Sequence, residues 1–285
     1  MTLFTQHANK STPVGAADVL TKVKTRYWFR WPLKMTTNLA VLAALGGFAC
    51  HDAANAQTNQ TGDKKQMTTI TLDTNKVYEI AQQWFKPDGA PKIQDYFGKV
   101  MPTAQKYGVR IVGRFQPLRA IGLASSPQVI GIAEWPSPAS FDSFMADPEY
   151  RKLYPLRDEA LEKLNVTHVK ASAEASLEIK EGAIYEITGL WVRPDGGNER
   201  LQKYFEQVTP IAAKHGGRPL ARFITQRAPF GDFQPTFVGF TEWPSLDAFE
   251  AFQNDPAFLK LKPMRDGALS KLVVMHGNFH VMPTH

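Results

Sequence analysis

Four pairs of ionisable residues recur on segments that read as strands: Glu79 with Glu186, Arg110 with Arg218, Glu134 with Glu242, and His168 with His276. A strand sends alternate side chains to opposite faces, so a polar group there is not automatically solvated. Two carboxylates brought together repel, and burial raises the pKa of one while a neighbouring arginine keeps the other ionised. A histidine in such a group carries protons near neutral pH. Glu79, Glu134, His168, Glu186, Glu242 and His276 are therefore the candidate catalytic residues, with Arg110 and Arg218 as candidate ligand-binding cations. The rival reading is a row of cross-strand ion pairs, each worth little. A metal held by Glu79, Glu134 and His168 is geometrically conceivable, but no metal or other cofactor is expected. A slip of one residue in register would turn any of these side chains to the other face.

The elements that position them come in two copies. "VYEI" at 77–80 matches "IYEI" at 184–187, Trp84 matches Trp191, and "KPDG" at 86–89 matches "RPDG" at 193–196. Residues 134–160 and 242–268 agree at 14 of 27 positions, beginning with "EWPS" each time. Such self-similarity at a fixed period indicates a repeated structural unit. Each copy reads β-α-β-β-α-β. Residues 76–84 alternate as a strand does. Ile93, Tyr96, Phe97, Val100, Met101, Ala104 and Tyr107 recur at helical spacing before Gly108, as do Leu201 to His215 in the second copy. Strands follow near 110–118 and 128–135. Ser137 and Pro138 open a helix that Asp147–Pro148 breaks. A further helix runs to about Leu164, and the last strands cover 165–171 and 272–281. In strand one, Tyr78, Ile80, Gln82 and Trp84 share the face expected beneath the helices. Glu79 shares the other face, expected to line an interior. His215, in place of Tyr107, is expected in the core, and Arg157–Asp158 and Arg265–Asp266 as helix salt bridges.

The chain's formal charge of +6 is uneven. Residues 1–56 hold six basic and two acidic residues, so the remainder carries only +2. A nearly neutral body without a basic run offers phosphates little, so nucleic acid is excluded as a partner. Basic residues precede the apolar run Leu39–Ala49, and "ANA" at 54–56 has the form of a cleavage site. This pattern reads as a secretory signal over 1–56, too short in its apolar run for a stable membrane span. The single cysteine, Cys50, lies before that cut, within a poor match to a lipidation motif. Removal of the leader removes cysteine chemistry with it. The organisation expected is signal peptide 1–56, flexible segment 57–75, first module 76–170, linker 171–182 and second module 183–285, exported to the periplasm or secreted.

The phrase "EWPS…F…DP…L-x-P-[LM]-R-D" resembles the DUF1330 modules of the dimeric α/β-barrel superfamily, over about 76–170 and 183–281. The β-α-β-β-α-β order is that of the ferredoxin-like fold, with helices on one sheet face only. The resemblance implies an α+β protein, two such modules pairing sheet to sheet as an intramolecular barrel. It also implies a monomeric pseudo-dimer or a higher homo-oligomer of that unit. Sheet order 4-1-3-2 would gather one Glu–Glu–Arg–His cluster at one end of each sheet. Relatives of that fold include monooxygenases, isomerases and haem-binding proteins, so fold transfers better than function. The expectation is a barrel that binds a small apolar molecule, as a cofactor-independent monooxygenase- or isomerase-like enzyme or as a non-catalytic binding or interaction module. An enclosed pocket reaching Glu79 or Glu186 would favour the enzyme, and a lumen filled by side chains the module. Export predicts that the protein recovered outside the cytoplasm begins at Gln57 on N-terminal sequencing; retention of residues 1–56 on the exported chain counts against the signal.

Overall fold

The computed structural model describes residues 67–282. The leader, Cys50 and His285 lie outside them. In chain order the elements are β1 (Met67–Leu72), β2 (Val77–Phe85), α1 (Gly89–Gln105), β3 (Arg110–Ile121), β4 (Val129–Trp135), α2 (Pro138–Ala146), α3 (Pro148–Arg151), α4 (Tyr154–Ala160) and β5 (Leu161–Ala171). Then come β6 (Ala175–Lys180), β7 (Ile184–Val192), α5 (Gly197–Lys214), β8 (Arg218–Phe230), β9 (Phe237–Trp243), α6 (Leu246–Gln253), α7 (Pro256–Ala268) and β10 (Leu269–Val281).

The repeated phrase forms the same joint in both copies. Ser137 caps α2 by accepting the Ser140 amide at 3.1 Å, and Ser245 caps α6 by accepting that of Ala248 at 3.1 Å. Pro136 and Pro244 lie against Gly108 and Gly216, whose φ values are 78° and 79°. A Cβ there would approach the proline rings to 2.7 and 2.5 Å, so both the backbone and the close packing require glycine. Asp147 and Asp255 cap the next helices and also accept from Tyr107 and His215, at 2.9 Å each. His215 is therefore a partner of a capping carboxylate, where core packing was expected. The Tyr-to-His exchange keeps the donor. Arg157 and Arg265 pair with Asp158 and Asp266 at 2.8 Å, as expected.

Eight antiparallel strands close in the order β10-β3-β4-β2-β5-β8-β9-β7. Each copy keeps the 4-1-3-2 order, and the two sheets join edge to edge where β5 pairs with β8 and β10 with β3. Helices cover the outside. Three apolar cores result: one inside the barrel, built on Tyr78, Phe115, Val169, Tyr185 and Met275, and one beneath each helix layer, around Trp135 and Trp243.

Three expectations require correction. Residues 67–72 are a strand, not part of a flexible 57–75 segment, and the 171–182 linker contains β6. The two pair as an antiparallel ribbon from Met67↔Lys180 to Leu72↔Ala175. Alternation explains it: Ile70, Leu72, Leu177 and Ile179 are buried in the inner core, and the ribbon closes the end of the barrel where β2 and β7 begin. Second, the helix expected to reach Leu164 stops at Ala160, and β5 and β10 start at Leu161 and Leu269. Third, the faces of strand one are reversed. Tyr78 and Ile80 point into the barrel, while Val77 packs beneath the helices. Tyrosine tolerates the interior because each hydroxyl meets the ribbon: the Asp73 amide donates to Tyr78 at 2.8 Å and the Lys180 amide to Tyr185 at 2.7 Å.

A single module would expose both a bare apolar face and two open edges. Residues 76–171 expressed alone are expected to self-associate as a dimer that rebuilds both seams, measured by sedimentation equilibrium; a soluble, folded monomer would contradict this account of closure.

Candidate functional site

Register decides where the four recurrent pairs go. On β2, Tyr78 lies opposite Glu134 and Val169, whereas Glu79 lies opposite Ala133 and His168. Arg110 lies opposite Glu134. Glu134 and Arg110 therefore share the inner face, and Glu79 and His168 the outer. The second copy repeats this: Tyr185 opposite Glu242, Glu186 opposite His276. The expected four-residue cluster is split across the sheet, and with it the conceivable Glu79–Glu134–His168 metal set. Among the described residues no group of three or more His, Cys, Asp or Glu is placed to hold a metal ion.

The inner pairs are structural clasps at the ribbon end. Arg110 reaches Glu134 at 2.6 Å. Glu242 receives Arg218 at 2.6 Å and, from the ribbon, Lys180 at 2.7 Å. Burial pushes the Glu242 carboxyl up, but the hydrogen bonds from Lys180 and Arg218 outweigh it and hold the group below the ordinary carboxylate range. Burial also drives the Tyr185 phenol up to about 12, so it is neutral at physiological pH. The ribbon is bolted to the second copy by a charge that the first copy lacks.

The outer pairs are buried acid–base dyads. His168 is 1% and His276 0% exposed. Glu186 accepts from His276 Nε2 at 2.9 Å, from the Trp243 indole at 3.2 Å and from Thr188 at 2.7 Å. Glu79 accepts from the Trp135 indole at 2.9 Å, while His168 Nε2 stands 3.7 Å away and has no hydrogen-bond partner. Arg227 Nε donates to His168 Nδ1 at 3.3 Å. A guanidinium only donates, so neutral His168 carries its proton on Nε2, facing Glu79. Each imidazole packs against a phenylalanine ring, Phe141 edge-to-face with ring centres 4.3 Å apart and Phe249 tilted at 3.9 Å. Such a dyad can move a proton, but its imidazole packs against the helices.

Open space lies on the other side of the sheet. A cavity of about 40 Å³ inside the barrel is lined by apolar side chains, among them Ile70, Leu72, Tyr78, Ile80, Ile187 and Phe240. Neither Glu79 nor Glu186 reaches it. The partners that complete the clusters were outside the candidate set: the two tryptophans, Lys180 in the supposed linker, and Arg227. A signal for the last existed, since Arg119 and Arg227 recur at the same spacing as the histidines.

A family model described as a domain of unknown function, DUF1330, matches residues 76–171 and 196–278. No curated protein matches. A solved anthrone oxidase-like protein is similar at 16% identity and a TM-score of 0.54, over 75% of this chain and 96% of that one. A protein of unknown function from Rhodopseudomonas palustris is 25% identical over 34% of this chain and 83% of its own, with a TM-score of 0.32. A mutant chlorite dismutase from Candidatus Nitrospira defluvii is 9% identical over 74% and 93%, with a TM-score of 0.47. At 16% identity the likeness to the anthrone oxidase-like protein speaks for the fold alone.

The Glu242 clasp has a defined pH signature. Its folded pKa is depressed, so its stabilisation is complete above the ordinary glutamate range and drains away as pH falls through the folded value. Glu242→Gln is expected to lower stability by about 1.5–3 kcal/mol at pH 7, the range for hydrogen bonds to charged groups. The deficit should shrink toward pH 3, read from urea midpoints at the two pH values. An equal deficit at both would show that the charge contributes nothing.

Proposed function

The chain belongs to the DUF1330 family, and on that scaffold we propose an exported binding protein that holds a small apolar molecule inside its barrel. The single observation carrying this reading is the apolar cavity closed by the β1–β6 ribbon. An apolar void stays dry and takes apolar guests. At about 40 Å³ it is smaller than the roughly 150 Å³ cavity known to admit benzene, so the guest in this closed form is very small, or a larger one moves part of the wall. Export rests on the leader-like pattern of residues 1–56. The anthrone oxidase-like neighbour supports the scaffold, and its 16% identity does not bring its reaction along.

A second reading is favoured by one observation: the unpartnered Nε2 of His168 beside a Glu79 side chain that is 18% exposed. There the first copy could run a proton-transfer isomerisation, Glu79 taking a proton from one carbon of the substrate and His168 returning one to another. Glu186 and His276, held at 2.9 Å, are in this reading the structural copy. Arg110 and Arg218 act through their carboxylates and not on ligand in either reading.

Xenon is the probe suited to the cavity. Saturable shifts of dissolved 129Xe are expected with the native chain and not with Ile80→Phe, which fills the space. The double variant Glu186→Gln, His276→Ala should keep xenon binding while losing about 2–5 kcal/mol of stability in urea. Failure of the native chain to bind xenon, or loss of binding in the folded double variant, would overturn the lumen as the site.

A further inference from the structure

The half of the lumen away from the ribbon is filled differently from the half that holds the cavity. Gln82, Asn165 and Thr167 point into it from the first copy, at 0%, 2% and 0% exposure. The equivalent positions of the second copy are Gly189, Val273 and Met275. Into this space the 231–236 loop between β8 and β9 inserts Phe233, itself 2% exposed, with its ring edge-on to Trp191 at 5.3 Å. Gly189 makes the room: a Cβ there would lie 2.8 Å from the Phe233 ring. Its two neighbours in the loop, Asp232 and Gln234, are exposed.

A polar wall is a costly way to seat a phenyl ring, because each buried polar group must find a partner. Here the loop backbone supplies the partners. Thr167 donates its hydroxyl to the Phe233 carbonyl, and Asn165 Oδ1 accepts the Asp232 amide at 3.3 Å. Asn165 Nδ2 donates to Gln82 Oε1 at 3.0 Å. The Gln82 amide itself has only the Met275 sulfur, at 3.9 Å, a weak acceptor. The wall thus offers a hydroxyl donor, a poorly used amide donor and one carbonyl acceptor, facing an aromatic slot. An aliphatic wall, such as the second copy has, would seat Phe233 with no polar requirement at all.

Resting on the reading that the lumen takes a ligand, we propose that the 231–236 loop is a displaceable plug. The space Phe233 fills, walled by Gln82, Asn165 and Thr167, is then a binding subsite for a small aromatic molecule bearing a carboxamide group. Such a guest replaces the ring with a ring and the loop's hydrogen bonds with its own, so the exchange leaves the buried polar groups satisfied. It also gives the Gln82 amide an oxygen in place of sulfur. With the plug out, this subsite adjoins the apolar cavity, which then receives the rest of a larger guest.

Phenylacetamide is the probe, titrated into the full chain and followed by tryptophan fluorescence, to which Trp191 contributes. Phe233→Ala removes the competitor and is expected to bind it at least about tenfold more tightly than the native chain. Adding Thr167→Val to Phe233→Ala should then cost about tenfold, the size of one buried hydrogen bond. Equal affinity of native chain and Phe233→Ala, or no effect of Thr167→Val, overturns the proposal. If Phe233→Ala fails to fold, the native chain decides. Saturating phenylacetamide should speed hydrogen exchange at the Asp232 amide at least about tenfold as Asn165 releases it, and unchanged exchange overturns the plug. Xenon binding with no phenylacetamide effect refutes this subsite while leaving the binding function standing, and loss of xenon binding refutes that function instead.

Discussion

Every strand of the barrel has two hydrogen-bonded neighbours, and this holds only because β5 pairs with β8 and β10 with β3. Without those two seams each module would present unpaired backbone at both edges and an apolar sheet face to water. The inner faces supply the driving force, through rings and aliphatic chains removed from solvent. The seams supply the uniqueness, because a ladder of backbone bonds admits one register where an apolar face alone admits several. Both seams carry irregularities beside the buried histidines, at Val166–Val169 and His276–Gly277, and a bulge re-aims neighbouring side chains. Each seam is then clasped from outside by an arginine of one copy gripping a helix of the other, Arg227 to Asp142 at 2.7 Å and Arg119 to Glu250 at 3.0 Å. As exposed pairs they add little energy. Arg227 does more than clasp, for it also orders the tautomer of His168, whereas His276 Nδ1 has no hydrogen-bond partner.

The repeat, the module order and the helix caps were legible because each depends on local signals: Ser before Pro, Gly after an apolar stripe, alternation along a strand; the 4-1-3-2 sheet order came from the family resemblance. The ribbon was not legible. "MTTITL" and "ASLEIK" are six residues each, flanked by polar sequence, and their partner lies about a hundred residues away, so only the barrel's open end gives them a reason to pair. Faces failed for a similar cause. A strand with Tyr, Ile and Trp on one side and Val and Glu on the other has two plausible burials, since both sheet faces are covered here. What decided between them was the ribbon's amides reaching the tyrosine hydroxyls, a contact made by the element that the sequence concealed. The candidate residues were thus identified correctly as recurrent and strand-borne, yet were assembled into one cluster where register makes two.

That division sorts the polar groups by the surroundings each face provides. Outside the sheet, beneath the helices, indole donors and packed phenylalanine rings hold a carboxylate beside a buried imidazole. Inside, at the ribbon end, charges sit near the rim, where arginine and lysine satisfy them and solvent still screens the pair. Away from the ribbon, the inner face presents the Gln82 and Asn165 amides and the Thr167 hydroxyl among apolar chains. This is the order expected if the cost of burying a charge rises steeply with depth while that of a paired amide does not.

Duplication then allows the two halves to differ where a symmetric dimer could not. In a homodimer, Gln82 would face its own copy across the axis, and so would Asn165 and Thr167, doubling the polar groups to be satisfied in one small space. In the fused chain the second copy carries Gly189, Val273 and Met275 at those positions, and its loop delivers Phe233 with a carbonyl and an amide to meet the first copy's side chains. The asymmetry is concerted: the glycine that makes room, the ring that fills it and the polar trio that holds the loop lie on three separate segments and have no purpose singly. A lumen that needed only to be filled would keep the same apolar residues in both copies, as Ile80 and Ile187 do. Its half away from the ribbon instead sets a polar trio of the first copy against a loop of the second.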